Sequence, residues 1–500
     1  MSANLDIRAG KEPVIFEKLR RAEERGYFRT IDLFAGCGGM SLGFDRAGFR
    51  SVASVEINDH ARASHELNFA SLVSEGEYRS FSDITTLKPE EAVAHLQRYG
   101  DVDERIDVII GGPPCQAFSR LGRAALWRLA GKDHAHGEDE RASMYHHYLR
   151  FVASLKPVAF VMENVREIGK FVGRNVAEEV AATADELGYS IRYCLLNAAW
   201  YGVPQFRERM VIIGIRKELS AIPEFPSIAH HCEIPVGYST SRSGKGHMQV
   251  LPPFDHFVDH ADTLPTLFPA VTASDAFADL PKIMSHLDGR KGKGNPRDIA
   301  QSFEYGRIGN AFTRMMREWP HFEAGATFTG HVIRYTPRDY ETFKRMPEGG
   351  MYPEALATAN KIFRERLARL ERKLKRKLVE SDQDYQDLFT ATVPPYKDNR
   401  YPNKFRKMWR DQPARTLPAH IGKDAYSHIH FDGDQARGIS LREAARIQSF
   451  PDAFRLSGSM NAQLTQIGNA VPPLLAFAVA SQLKRQLVEA CPLRPAQAAE

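Results

Sequence analysis

Three short stretches gather residue types that could do chemistry. In DVIIGGPPCQAFSRLGR an apolar run ends in two glycines and two prolines, and a lone cysteine, Cys115, follows with Gln116 and Ser119. A single cysteine is most often small core filling. Here Pro113 and Pro114 stiffen the exit from a strand and present the thiol at the mouth of a cleft, where its thiolate would be a nucleophile. In VAFVMENVREI a strongly apolar segment delivers Glu163 and Asn164 at its end, and the carboxylate is expected to face the same cleft. In YGVPQFRERMVIIGIR, Gln205, Arg207 and Arg209 recur at every second position, which puts all three on one face of an extended segment. Adjacent guanidiniums repel unless an anion lies between them, so a phosphate or an acidic catalytic partner is implied.

These groups need a scaffold that aims them into one cleft. From about residue 30 to 216, short apolar runs alternate with amphipathic stretches, the pattern of a parallel sheet covered by helices. Strands are expected at 30–34, 51–56, 107–112, 158–164, 191–197 and 209–215, and helices at 144–155 and 175–188. Such sheets bind ligands at the carboxyl ends of their strands. The first strand runs into TIDLFAGCGGMSLGFDRAGF, where Gly36, Gly38 and Gly39 let the backbone turn tightly and approach a ligand. The second ends in Glu56, placed to accept hydrogen bonds from two ribose hydroxyls. This is a nucleoside-binding arrangement that alone could take NAD, FAD or S-adenosylmethionine. A third strand end, SDIT, offers Asp83 to an adenine amine, although an Asp before a turn more often caps a helix.

With 500 residues and a formal charge of +5, the chain has room for two lobes and is basic enough to permit a nucleic-acid partner without demanding one. The cysteines at 37, 115, 194, 232 and 491 form no CxxC pair, so neither disulfides nor a structural metal is expected. His134, His136, His146 and His147 are scattered in and beside a polar loop, and no metal is assigned to them. No apolar run approaches the roughly 20 residues of a membrane span. The charged N-terminus lacks a signal core, so a cytoplasmic location away from membranes is expected.

From about 217 to 413 prolines cluster and the periodicity breaks, marking a second lobe or a large insertion. Within it Phe363, Leu367, Leu370, Leu374 and Leu378 mark one face of a helix whose other faces are rich in Arg and Lys. That helix is either solvated or in contact with phosphates. A second basic run, Lys397, Arg400, Lys404, Arg406, Lys407 and Arg410, is interleaved with Tyr401, Phe405 and Trp409, a mixture that favours nucleic acid.

The blocks DLFAGCGGMSLGF, VEIN, SDIT, GGPPCQAFS, ENV, QFRERMVIIG, SLREAARIQSFPD and QIGNAVPP follow one another over residues 30–216 and about 414–475. With them the chain resembles the DNA (cytosine-5) methyltransferase family, in its bacterial restriction-modification or defence form. The resemblance implies an α/β fold: a doubly wound, Rossmann-like S-adenosylmethionine-dependent methyltransferase sheet plus a smaller, irregular target-recognition domain. It implies that Phe34, Gly36, Gly38, Gly39 and Pro114 line the S-adenosylmethionine pocket. Glu56 would hold the ribose, Asp83 would lie near the adenine, and Asn469 would close the site from the C-terminal end. Cys115 would attack the base, Glu163 would grip its Watson–Crick edge, and Arg207 and Arg209 would support that geometry.

Double-stranded DNA is the implied partner, met by Gln116, Ser119, Arg120 and Arg123 after the nucleophile and by Lys373, Arg376, Lys404 and Arg406 in the recognition region. A cognate restriction endonuclease or defence complex is a further expected partner, and the chain itself is expected to be a monomer. The expected division is an N-terminal extension at 1–29, a catalytic and cofactor-binding domain at 30–216, a recognition domain at 217–455 and a return to the catalytic domain at 456–500.

Rival readings explain less. The transfer-RNA branch resembling this family carries a CFT-type signature and a short recognition region, and the chain has neither. Enzymes acting on exocyclic amines resemble one another in a DPPY-like tetrad, replaced here by GGPPCQ. A silent DNA-binding subunit would not need Cys115 and Glu163 together. A dehydrogenase would explain the glycine turn and leave PPCQ, ENV and QFRER without roles.

Overall fold

The computed structural model describes residues 14–114, 144–171, 173–233, 251–258, 263–287, 298–396, 404–422 and 425–491. The six expected strands all form, with ends shifted by one or two residues: β1 (Phe28–Leu33), β2 (Phe49–Val55), β4 (Val108–Gly111), β5 (Ala159–Val165), β6 (Tyr189–Asn197) and β7 (Glu208–Arg216). After α3 (Asp59–Phe69), a short β3 (Arg79–Phe81) joins one edge. Beyond β8 (Ile228–His231), the two-residue β9 (Phe257–Val258) closes the other edge, giving the order β3-β2-β1-β4-β5-β7-β6-β9. Strands β3 to β5 run parallel, and β7 enters antiparallel between β5 and β6.

Helices cover both faces because alternate residues of the central strands are apolar in both directions. Ile109, Phe160, Met162 and Ile212 face α4 (Met144–Leu155) and α5 (Val176–Glu186). Val108, Ile110, Val161, Val211 and Ile213 belong to the opposite core with α2 (Gly39–Ala47) and side chains from near the C-terminus. The amino-terminal α1 (Val14–Arg25) is pinned by Lys18, whose buried ammonium donates to the carbonyls of Ile106 (2.8 Å) and Lys156 (2.8 Å).

Residues from 273 to 332 and from 408 to 487 contribute to the same large core as α2, including Phe277, Trp319, Phe322 and Leu417. A separate aromatic core, built on Tyr340, Phe343, Tyr352, Phe405 and Ile429, packs α6 (Tyr340–Arg345) against α7 (Tyr352–Leu374). The basic helix differs from expectation. It buries Tyr352, Ala355, Ala359, Ile362 and Phe363, whereas Leu374 is 39% exposed. It stops at Lys375, whose φ of 54° is left-handed, so Leu378 lies beyond the helix and is buried separately. The reason is that the amino half packs on the aromatic core, while the carboxyl half projects past it.

Near the C-terminus come α8 (Leu441–Ile447), α9 (Met460–Asn469) and α10 (Pro473–Glu489). Among the described residues one stretch, Met460–Glu489, is long and apolar enough to cross a membrane. Of its apolar window 67% is buried in the protein, which makes it core.

Candidate active site

Strand register lines the site up. Val55, Leu33, Gly111, Met162 and Ile212 pair in one row across β2, β1, β4, β5 and β7. The next residue of each parallel strand, Glu56, Phe34, Gly112 and Glu163, therefore stands at the carboxyl edge at one level. Three strand spacings separate Glu56 from Glu163, roughly 14 Å.

At the β1–β2 side the chain leaves β1 through Phe34 (φ 61°) and Gly36 (φ 55°), and Gly38 (φ 98°) caps α2. The three glycines serve different ends. A side chain at Gly36 would meet only open space, so its backbone is approachable. One at Gly38 would strike Phe69 and His65, and one at Gly39 would strike the Val471 carbonyl, so these two are glycine because protein packs on them. Glu56 accepts from Gly36 N (2.9 Å) with Oε2 and from Asn58 N (2.7 Å) with Oε1. Burial raises its carboxyl above the ordinary value, partly offset by those two donors. Ile57, inside the VEIN block, is 75% exposed beside it, an apolar platform for a flat ring. Asp83 accepts from the backbone and hydroxyl of Thr85 (2.8 and 2.7 Å), which lowers its carboxyl. Asp83 thus closes a turn at 84–86 and does not cap a helix, the alternative weighed from the sequence; the next helix starts at Pro89.

Beneath the turn lies a buried polar chain, of which Asp32 and Ser41 stand in the block DLFAGCGGMSLGF while His65, Tyr78 and Ser54 lie outside every quoted block. Ser41 donates to Asp32 (2.6 Å), and His65 Nε2 lies 3.0 Å from that hydroxyl. His65 Nδ1 lies 2.7 Å from the Tyr78 hydroxyl, which is 2.8 Å from Ser54. Its signal was an aspartate inside the apolar strand FRTIDL. Cys37, in the same turn, is inert, because burial pushes its thiol up to about 12.

At the β4–β5 side, Glu163 Oε1 pairs with Arg209 Nε at 2.5 Å. The acidic partner implied for the arginines is thus Glu163, but only for Arg209. Arg207 does not stand beside it: its guanidinium is buried and donates to the carbonyls of Leu417 (3.0 Å) and Gly468 (2.9 Å). The expectation that Arg207 and Arg209 act side by side is corrected, because Arg207 precedes β7 and reaches into the C-terminal segment. It holds Gly468, next to the exposed Asn469, against the catalytic sheet. Gln205 is likewise buried and accepts from Leu417 N (2.9 Å). Asn164 donates to the Pro113 carbonyl (3.2 Å), fixing the chain just ahead of the exposed Pro114. Tyr148 brings its hydroxyl within 3.2 and 3.0 Å of the Ile109 and Val161 carbonyls on β4 and β5. Cys115, Gln116, Ser119, Arg120 and Arg123 lie outside the described residues.

Several of the described basic residues of the second region are engaged with partners of their own fold. Arg376 pairs with Asp382 (3.0 Å) and Asp384 (2.9 Å), and Lys377 with Glu371 (2.9 Å). Lys407 is buried and caps α6 through the carbonyls of Phe343 and Met346, both at 2.8 Å. Arg410 pairs with Glu348 (2.7 Å). Lys404 sits over the Tyr396 ring (3.7 Å), and Arg406 lies 3.1 Å from the Met351 sulfur. Lys373 is exposed. Among the described residues no group of three or more His, Cys, Asp or Glu side chains could hold a metal.

The edge therefore offers a carboxylate for a diol, an apolar platform, and a second carboxylate fixed by a guanidinium. Comparisons with known proteins show the family. The model of the C-5 cytosine-specific DNA methylase family matches residues 28–243 and 333–485. A chain of Oceanobacillus iheyensis named as a type II methyltransferase is 34% identical over 92% of this chain and 96% of its own. The type II methyltransferase M.AgeI of Thalassovita gelatinovora is 32% identical over 91% and 99%. A crystal structure of a prophage-encoded DNA modification methyltransferase (E. coli) shares the fold. It has a TM-score of 0.58 and 22% identity, covering 92% of this chain and 99% of that one. The chain is a DNA (cytosine-5-)-methyltransferase and belongs to the C-5 cytosine-specific DNA methylase family.

Proposed function

We propose that this enzyme binds S-adenosylmethionine at the glycine turn and methylates C5 of a cytosine swung out of double-stranded DNA, through a covalent bond to Cys115. The observation that carries the reading is the register row, which sets Glu56 and Glu163 at one level while Asn164 fixes the carbonyl two residues before Cys115.

The cofactor fits the residues present. Gly36 faces open space, Glu56 is held by two backbone donors and keeps lone pairs for two hydroxyls, and Ile57 is exposed beside it. Phe34, Gly38, Gly39, Asp83, Pro114 and Asn469 complete the proposed pocket. When bound, S-adenosylmethionine supplies an electrophilic methyl group on a sulfonium.

The chain's own residues prepare the base. The Cys115 thiolate forms a bond to C6, the C5=C6 pair moves to C4–C5, and the C4=N3 pair moves onto N3. N3 takes a proton from Glu163, which Arg209 holds in place. C5 is now nucleophilic. After C5 is methylated, a base takes the C5 proton as C5=C6 re-forms and the thiolate is expelled, and the N3 proton returns to Glu163. Burial holds the Cys37 thiol at about 12 and the Cys232 thiol at about 11, too high for either to ionise near neutral pH, which weighs against those two as the nucleophile.

C6 is inaccessible in stacked DNA, so the base must be extruded, at a cost of a few kcal/mol. Gln116, Ser119, Arg120 and Arg123 after the nucleophile, with Lys373, Lys404 and Arg406, are the proposed contacts that offset it; Arg376, expected among them from the sequence, is paired instead with Asp382 and Asp384. The relatives' names, type II methyltransferases, support a bacterial restriction-modification setting; a cytoplasmic location, a cognate endonuclease and action as a monomer belong to the same proposal.

Cys115→Ser should reduce methyl transfer to background while changing S-adenosylmethionine affinity only a few fold, measured by tritium transfer and calorimetry. Turnover near that of the wild type would refute the covalent route.

A further inference from the structure

At the end of α2 remote from the glycine turn, a groove of about 470 Å³ opens against α10. Arg46, in the last turn of α2, lines one side, and Phe477, Ser481, Lys484 and Arg485 line the other. The Arg46 guanidinium lies between two rings, 4.3 Å from Trp319 and 4.7 Å from Phe477. Those rings hold the cation without neutralising it.

Two donors here lack acceptors. Arg46 Nη1 is shielded from solvent and has no hydrogen-bond partner among the described residues, and neither has Nε1 of Trp319, a residue 0% exposed. Burial lowers the Arg46 guanidinium from its ordinary value, and no anion offsets that. The nearby acids are engaged or peripheral. Asp45 pairs with Arg50 and with His321 (2.9 Å), Glu224 lies 3.5 Å from Arg485, and Glu489 is exposed at the rim. Lys484 brings its ammonium over Gly48, where an added Cβ would strike Nζ.

Arg46 Nη1 and Trp319 Nε1 are closed to the groove, but the Arg46 side chain lines it and, like Lys484, forms no ion pair with an acid among the described residues. A water would satisfy a donor but not balance the charges of Arg46 and Lys484. Residues bearing a guanidinium, an ammonium and a hydroxyl line one groove, donor types that suit a tetrahedral oxyanion.

We propose that this groove is a phosphate-binding site, separate from the cofactor and DNA surfaces. Arg46 and Lys484 take the charge, Ser481 donates a third hydrogen bond, and Phe477 flanks whatever the phosphate carries. Its volume falls in the range of small-ligand pockets, roughly 300–1,000 Å³, so the phosphate is either free or borne by a small molecule.

The test is calorimetric titration of the full-length protein with inorganic phosphate, pyrophosphate and ribose 5-phosphate, with S-adenosylhomocysteine saturating the cofactor site. One equivalent should bind, and Arg46→Met and Lys484→Met should each weaken it at least about tenfold. Lys484 is only partly buried, so its variant keeps the test valid if Arg46→Met fails to fold. Tighter binding of ribose 5-phosphate than of phosphate identifies a borne phosphate, and equal or weaker binding identifies the free ion. No binding by the wild type would overturn the proposal. So would affinity unchanged in both variants but abolished in Lys404→Gln, which would put the phosphate on the proposed DNA-facing surface.

Discussion

The carboxyl edge of the sheet and the basic surface of the recognition region treat charge in opposite ways. At the edge, Glu56 and Glu163 are each fixed by one or two donors, Gly36 and Asn58 N–H for the first and Arg209 for the second. In the recognition region Arg376, Lys377 and Arg410 face acids of their own fold, and Lys407 is buried as a helix cap. A carboxylate that follows an apolar strand is placed by the strand, so its position can be read. A run of Arg and Lys is not a run of available charge, because loops bring acids to it from elsewhere.

That contrast can be broken by substitution, the largest effects falling at the sheet edge. Glu163→Gln should lower kcat by about 100- to 10,000-fold with little change in S-adenosylmethionine affinity. Single-turnover kinetics with cofactor titration would check it, and a loss confined to cofactor affinity would move Glu163 out of the base site. Glu56→Ala should do the reverse, raising the S-adenosylmethionine dissociation constant about 10- to 100-fold as the diol loses hydrogen bonds to a charged acceptor. Calorimetry reads this directly, and an unchanged constant would contradict the assignment.

In the recognition region the expected effects are smaller and unequal. Lys404→Gln and Arg406→Gln should each flatten the dependence of log K on log salt by about 0.9 for every phosphate no longer neutralised. Arg376→Gln, already committed to Asp382 and Asp384, should shift DNA affinity by under about 0.5 kcal/mol. Equal slopes for all three variants would erase the difference between the two regions.

Much of the sheet edge was legible in the sequence. The strands could be read because each is a short apolar run bounded by turn residues, and Glu56 and Glu163 because each ends one. The division of labour between the arginines was not. Spacing puts Arg207 and Arg209 on one face, but β7 begins only at Glu208, and the residue before it reaches Leu417 and Gly468, more than 200 positions away. The three glycines also look alike in sequence. Only packing separates Gly36, which faces space, from Gly38 and Gly39, which face Phe69 and Val471. The basic helix reads too long because heptad-like leucines continue past Lys375, where the backbone turns left-handed.

The central claim is that Cys115 bonds to the base that Glu163 holds. A duplex carrying 5-fluorocytosine at the methylated position blocks loss of the C5 substituent, so the enzyme should be trapped on DNA as an adduct stable to detergent. Peptide mass spectrometry should then place the cross-link on Cys115. A cross-link on Cys37, Cys194, Cys232 or Cys491, or methylation of DNA with no adduct at all, would contradict it.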